Sequence, residues 1–299
     1  MSLLFDPFTH LPALRHRLTP ADLSAVRATP DRLARWDQQA LGHGLPVSWR
    51  LSDQQLEDTR RAMLGAFDTL QDLWLFGYGS LMWDPGIHFA EVRQAELPGF
   101  ERRFSYKTTM GRGTPDQPAL TLSLEPSAAC CHGLVFRIPA DRVAVESGMV
   151  WRREMLRNGY CPAWLAVATP QGPVTALGFV ANRRHEGYAG DLSLAQAAGI
   201  IATACGAIGS NRDYLSNWPR SSTRWPSQTP TSRSCCSRCR RWPKAERPSA
   251  GALGQGHCRH RDPHPAGHLP LTNQVGLIDP PPCRSSTPPP PARPCRSIS

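Results

Sequence analysis

An α+β fold is predicted by three features of the 299-residue sequence: short β-patterned runs from residue 73 to 182, two helical stretches among them, and helix start signals before residue 72. In the first segment, Thr19-Pro20-Ala21-Asp22 reads as a helix start, with Thr19 as N-cap and Pro20 in the first helical position. Ser52 precedes Asp53, and the spacing of Leu56, Met63, Leu64 and Phe67 puts an apolar stripe on one helix face. Residues 1–71 therefore read as a helical extension whose stripe covers a strand edge or the outside of the core. The strand patterns that follow are Leu73–Met82, Ala90–Tyr106, Ala119–Leu124, His132–Ile138, Ala163–Ala168 and Val174–Asn182. Helical patterns interrupt them at Ala140–Arg157 and Leu192–Gly206. About 215 residues suffice for one such core.

The most informative stretch is Trp74 to Trp83, where an apolar run breaks into Gly77-Tyr78-Gly79-Ser80 and then resumes with Leu81-Met82. Gly77 and Gly79 can take positive φ and carry no Cβ, so successive N–H groups could face one concavity and bind a carboxylate or an oxyanion. A Gly-x-Gly after a strand also makes an ordinary turn or bulge. A dinucleotide fingerprint is excluded, because Met82 stands where the third glycine would fall, and Gly-Tyr-Gly-Ser-Leu lacks the spacing of a nucleophile elbow.

The chain carries 34 Lys+Arg against 24 Asp+Glu. From residue 216 onward there are 13 basic and 3 acidic residues, so residues 1–215 hold 21 of each and are formally neutral. The excess charge is thus no footprint of a nucleic-acid-binding domain. The same tail has 16 of the 30 prolines and 6 of the 10 cysteines, a composition that builds no core and is expected to be disordered. Cys236, Cys239 and Cys258 mimic zinc-ligand spacing, but the chain around them has little to pack about a metal, and no metal is expected. Cys130, Cys131, Cys161 and Cys205 form no disulfide framework and suit a reducing compartment. Nothing reads as a signal peptide or a membrane span, so a cytoplasmic protein with no membrane partner is expected.

Seven blocks in order carry a family resemblance: Gly77–Trp83, Pro98–Phe104, Arg112–Pro115, Leu120–Pro126, Cys131–Ile138, Trp151–Met155 with Gly159-Tyr160, and Gly209–Leu215. Together they resemble the ChaC family of glutathione-specific γ-glutamylcyclotransferases over about residues 72–215. The resemblance implies a small mixed β-barrel with helices packed outside, no cofactor, and glutathione as the small-molecule substrate. It makes Glu154 the general acid/base. Taken alone, Glu154 beside Arg152 and Arg153 would read as a solvated helix charge. Glu154 precedes Tyr160 by six residues, an interval similar to that of bacterial members and longer than in animal ones.

The implied binding set is Gly77, Tyr78, Gly79, Ser80, Leu81, Met82 and Tyr160, with backbone N–H groups of Tyr78 to Leu81 and the Ser80 hydroxyl holding the substrate carboxylate or the oxyanion. Tyr188 could line the pocket, Arg102 or Arg103 could meet a substrate carboxylate, and one of Arg152 and Arg153 is expected to point outward. His88 and His132 receive no role. Two other readings share the fold: a non-catalytic γ-glutamyl-binding or regulatory protein, and a cyclotransferase for other γ-glutamyl amines. Family register ends at Leu215. A one-nucleotide shift of permitted codons for Ser216–Ser237 gives an amphipathic helical pattern, so the tail reads as a frameshift product.

Overall fold

The computed structural model describes residues 6–65 and 71–217. The tail from residue 218, with its cysteines and its proposed frameshift origin, lies outside the described residues, as does Phe67.

The extension contains two helices, α1 (Pro30–Gly42) and α2 (Asp53–Leu64). Ser52 closes a reciprocal capping box with Gln55, as its position before the apolar stripe suggests. The Thr19-Pro20 signal instead leads only into a 3-10 turn at Ala21–Leu23, and the first true helix starts at the next Thr-Pro pair, with Thr29 as N-cap. Thr19 N donates to Trp83 O (2.8 Å), and Arg27 is held by Glu146, so contacts at both ends keep this segment extended.

A five-stranded mixed sheet follows, built from β1 (Leu73–Gly77), β2 (Glu91–Thr108), β3 (Ala119–Ile138), β4 (Tyr160–Val167) and β5 (Val174–Ala181). Its order is β2-β3-β1-β5-β4. β1 pairs antiparallel with β3 (Leu75 opposite Phe136) and parallel with β5 (Trp74 opposite Ala176). The two strands expected at Ala119–Leu124 and His132–Ile138 are one, β3, which continues past Pro126 through a bulge of Ser127 to Ala129, opposite Gly99 and between the Phe100–Pro126 and Pro98–Cys130 pairs. A residue without an N–H is tolerated where the ladder is already interrupted.

The expected barrel is found only in part. Among the described residues no continuous ladder closes the sheet, and its two edges meet at a single antiparallel bridge, Glu96 with Ala168, whose reciprocal bonds are both 2.9 Å. The architecture is therefore a mixed α+β fold around a five-stranded mixed sheet.

Both faces of the sheet are covered. Alternate residues divide between two cores: Leu75, Leu134 and Phe136 join Leu177, Phe179, Val150 and Trp151, whereas Phe76 and Val135 join Leu124, Leu165 and Tyr214. This explains the unbroken apolar run of β1, since a strand buried on both faces needs no polar alternation. Helix α3 (Val143–Glu154) lies on the first face, with Trp151 edge-on to Phe179 at 5.7 Å, and α2 packs on it through the bond from Trp151 Nε1 to Thr59 Oγ1 (2.9 Å). Helix α4 (Leu194–Thr203), a short hairpin of β6 (Cys205–Gly206) and β7 (Gly209–Ser210), and α5 (Asn211–Asn217) complete the described chain. No helix among the described residues is long and apolar enough to cross a membrane.

Candidate active site

The loop after β1 and the C-terminal end of α3 contribute to one cavity of about 780 Å³. Beyond Gly77 the chain passes Tyr78 and Gly79 and enters a 3-10 turn, Ser80–Met82. The first bond of that turn is donated by Met82 N to Gly79 O (2.9 Å). The N–H groups of Ser80 and Leu81 precede it and have no carbonyl behind them in the turn.

Neither Gly77 nor Gly79 uses a positive φ, which corrects the reason expected for these glycines. Space is what demands Gly77: a Cβ there would stand 2.9 Å from Leu81 Cβ and 3.3 Å from the Phe136 ring. At Gly79 a Cβ would approach the Tyr214 hydroxyl to 3.5 Å, an ordinary contact.

Helical spacing places Glu154. Val150 and Trp151 anchor α3 in the core, and Glu154 follows them by four and three positions, on the same side of the helix. Its side chain lines the cavity and is only 14% exposed. Burial pushes its carboxyl above the ordinary carboxylate range, and the Arg153 guanidinium opposes that shift.

Arg153 is the residue that joins the two halves of the site. Its Nη2 donates to Ser80 Oγ (2.7 Å), its Nη1 to Asp84 O (2.7 Å), and its Nε lies 3.1 Å from Glu154 Oε1. One planar group thus fixes the turn against the carboxyl, a geometry that an ammonium could not reproduce. Of the two neighbouring arginines, Arg153 turns inward, while Arg152 lies against Met149 of its own helix.

Three tyrosines line the same cavity. Tyr78 donates to Phe179 O (2.8 Å) and Tyr160 to Leu122 O (3.1 Å). Burial raises the pKa of both, with the Glu154 charge adding to the effect, and pushes Tyr214 up to about 12. All three therefore stay protonated donors over the physiological range. Tyr214 is held edge-on by Trp83 at 5.4 Å.

Of the residues expected from sequence, Tyr78, Gly79, Ser80, Leu81, Glu154 and Tyr160 come together at this cavity, whereas Gly77 and Met82 do not line it. Met82 packs into the core instead. Arg102 and Arg103 lie away from the cavity lining: Arg102 donates to His132 O, and Arg103 donates to Gly190 O (3.0 Å). Tyr188 is likewise outside it, bonded to the buried Glu125 at 2.9 Å. The cationic residues that line the cavity besides Arg153 are Arg112 and Arg157. Sequence reasoning took Arg152 or Arg153 only as a charge that could oppose the Glu154 shift from an inward position, not as the link to the glycine turn, and gave no role to Tyr214, although both Arg153 and Tyr214 sit inside quoted blocks. The available signal was an arginine adjoining the expected acid/base.

The family model for ChaC-like proteins matches residues 73–225. The chain is 37% identical over 144 residues to the glutathione-specific gamma-glutamylcyclotransferase of Escherichia coli (strain K12), an alignment covering 48% of this chain and 62% of that protein. It thus spans less than two thirds of that relative's length. A glutathione-specific gamma-glutamylcyclotransferase 1 of Danio rerio is 31% identical over 147 residues, covering 48% of this chain and 75% of the relative. Among solved structures, a gamma-glutamyl cyclotransferase specific to glutathione from yeast shares the fold, with a TM-score of 0.50 and 21% identity over 56% of this chain and 93% of that one. On the family match and the extent of these alignments, the chain belongs to the ChaC-like family.

Proposed function

We propose that this protein is a cytoplasmic γ-glutamylcyclotransferase that cleaves glutathione to 5-oxoproline and cysteinylglycine, with Glu154 as its general acid/base. The observation that carries the reading is a buried carboxyl of raised pKa in the same cavity as the glycine turn, tied to it through Arg153. The relatives' names support the substrate. In this reading residues 72–215 are the catalytic domain, an incompletely closed mixed barrel, and residues 1–71 are an accessory extension.

The reaction consumes no water. The α-amine of the γ-glutamyl group attacks its own γ-carbonyl, a five-membered lactam closes, and the amide C–N bond to cysteine breaks. Folding the substrate back on itself supplies much of the rate, since well-oriented intramolecular attack can be worth about 7–11 kcal/mol. Glu154 takes the proton from the ammonium and returns it to the departing nitrogen. A raised pKa suits the second step, and the opposing charge of Arg153 keeps the carboxylate available for the first. The Ser80 and Leu81 N–H groups hold the α-carboxylate or the tetrahedral oxyanion, where one donor is typically worth about 3 kcal/mol. Arg153 acts as a positioning residue.

The test is 5-oxoproline release from glutathione by the full chain, with Glu154→Gln alongside and circular dichroism on both. The expected result is at least about a 100-fold loss of kcat/KM in a variant of unchanged spectrum. Glutathione binding without turnover in the folded parent would favour the non-catalytic alternative.

A further inference from the structure

The cavity that contains Glu154 is not lined by the family-matched residues alone. Val26, Trp36 and Leu45, all from the segment before β1, line it as well, and each is half-buried. Met110 and the 58% exposed Ile208 add apolar surface to the same cavity. The segment is firmly seated: Arg27 grips Glu146 through two bonds of 2.6 and 3.0 Å, and Leu51 N donates to Leu156 O at 2.9 Å, two residues beyond Glu154.

A γ-glutamyl head is a zwitterion and needs polar partners, which the turn, Arg153 and Glu154 provide. Cysteinylglycine needs one cationic partner for its carboxylate, and the lining holds Arg112, which donates to Ser210 O (2.8 Å), and Arg157, which donates to Thr109 Oγ1 (3.0 Å) and faces the exposed Glu186 at 3.7 Å. Neither part uses much apolar wall. Yet the cavity, at about 780 Å³, lies towards the upper end of the roughly 300–1,000 Å³ range of sites that enclose drug-sized ligands.

We propose that the segment before β1 is a specificity wall, in which Trp36 and Leu45 receive an apolar substituent carried on the cysteine sulfur. The substrate class is then glutathione thioethers with alkyl or aryl groups on sulfur. This rests on the cyclotransferase reading. The chemistry is unchanged: the amine–carbonyl bond forms, the amide C–N bond breaks, the proton returns to the leaving amine, and an S-substituted cysteinylglycine departs with its C–S bond intact.

The test compares kcat/KM for 5-oxoproline release from glutathione, S-methylglutathione and S-benzylglutathione, using the full chain and its Trp36→Ala and Leu45→Ala variants. Added apolar contact should raise kcat/KM by about tenfold or more from S-methyl- to S-benzylglutathione. Trp36→Ala should lower the S-benzyl to S-methyl ratio by about tenfold, and Leu45→Ala should lower it less. A merely structural role would reduce both rates and leave the ratio alone. Turnover of glutathione with a poorer S-benzyl substrate, or a ratio that neither variant moves, would overturn the proposal. Absence of 5-oxoproline from all three substrates with a folded chain would overturn the cyclotransferase reading, and the proposal with it.

Discussion

Glu154 stands at the last position of α3, the pole of a helix where negative charge is least favoured, and it is buried there. A local rule broken at this position accords with the role proposed for Glu154, since such departures concentrate at functional sites. Because its pKa is raised on folding, the folded state binds the extra proton at pH values above the ordinary carboxylate pKa, and stability falls as pH rises from there to the raised value. Glu154→Gln removes that penalty. Its melting temperature should match the parent's near pH 4 and exceed it at pH 7 to 8; an equal difference at both would show that ionisation of Glu154 costs nothing. Arg153 opposes the shift, so Arg153→Met should move the acid limb of the kcat/KM profile to higher pH and lower its plateau by about 100-fold through misplaced groups. Arg153→Lys should restore the limb more than the plateau, because it returns the charge without the three-way geometry.

At the scale of elements, the Ser52 capping box tests how far local signals act. Ser52→Ala should cost about 1 kcal/mol in urea denaturation and leave the proposed 5-oxoproline release by the folded protein intact, since α2 reaches α3 at Thr59 and Trp151 rather than at Glu154. This cap was legible because its partner Gln55 lies within the same turn. Thr19-Pro20 carried the same signal and failed, because Trp83 and Glu146 are distant in sequence and hold the segment from outside. Pro126 lies between the two strands expected there, and the bulge of Ser127 to Ala129 beside it makes it compatible with a continuous β3. The glycine turn and Glu154 could be located from ordered blocks. The inward turn of Arg153, the placement of Gly77 and Met82 outside the cavity lining, and the incomplete closure of the sheet depend on packing that no single block encodes.

For the described molecule as a whole, the question is how an extension outside the matched family region becomes part of one cavity with the catalytic candidates. Its strongest polar tie is the Arg27–Glu146 pair, in which Glu146 is 2% exposed and also accepts from His88 N at 3.1 Å. Replacing a buried pair by apolar groups can be nearly neutral, but removing one partner leaves an uncompensated charge and typically costs about 3–5 kcal/mol. Arg27→Met should therefore destabilise by about that amount in chemical denaturation, whereas Arg27→Met with Glu146→Leu should recover much of the loss. If the double variant were as unstable as the single, the pair would not be coupled and the extension would be held mainly by its apolar contacts. The same variants bear on the cavity: a loosened extension should raise KM for S-benzylglutathione more than it lowers kcat, because Val26, Trp36 and Leu45 would move while Glu154, Arg153 and the glycine turn keep their own anchors on α3 and β1.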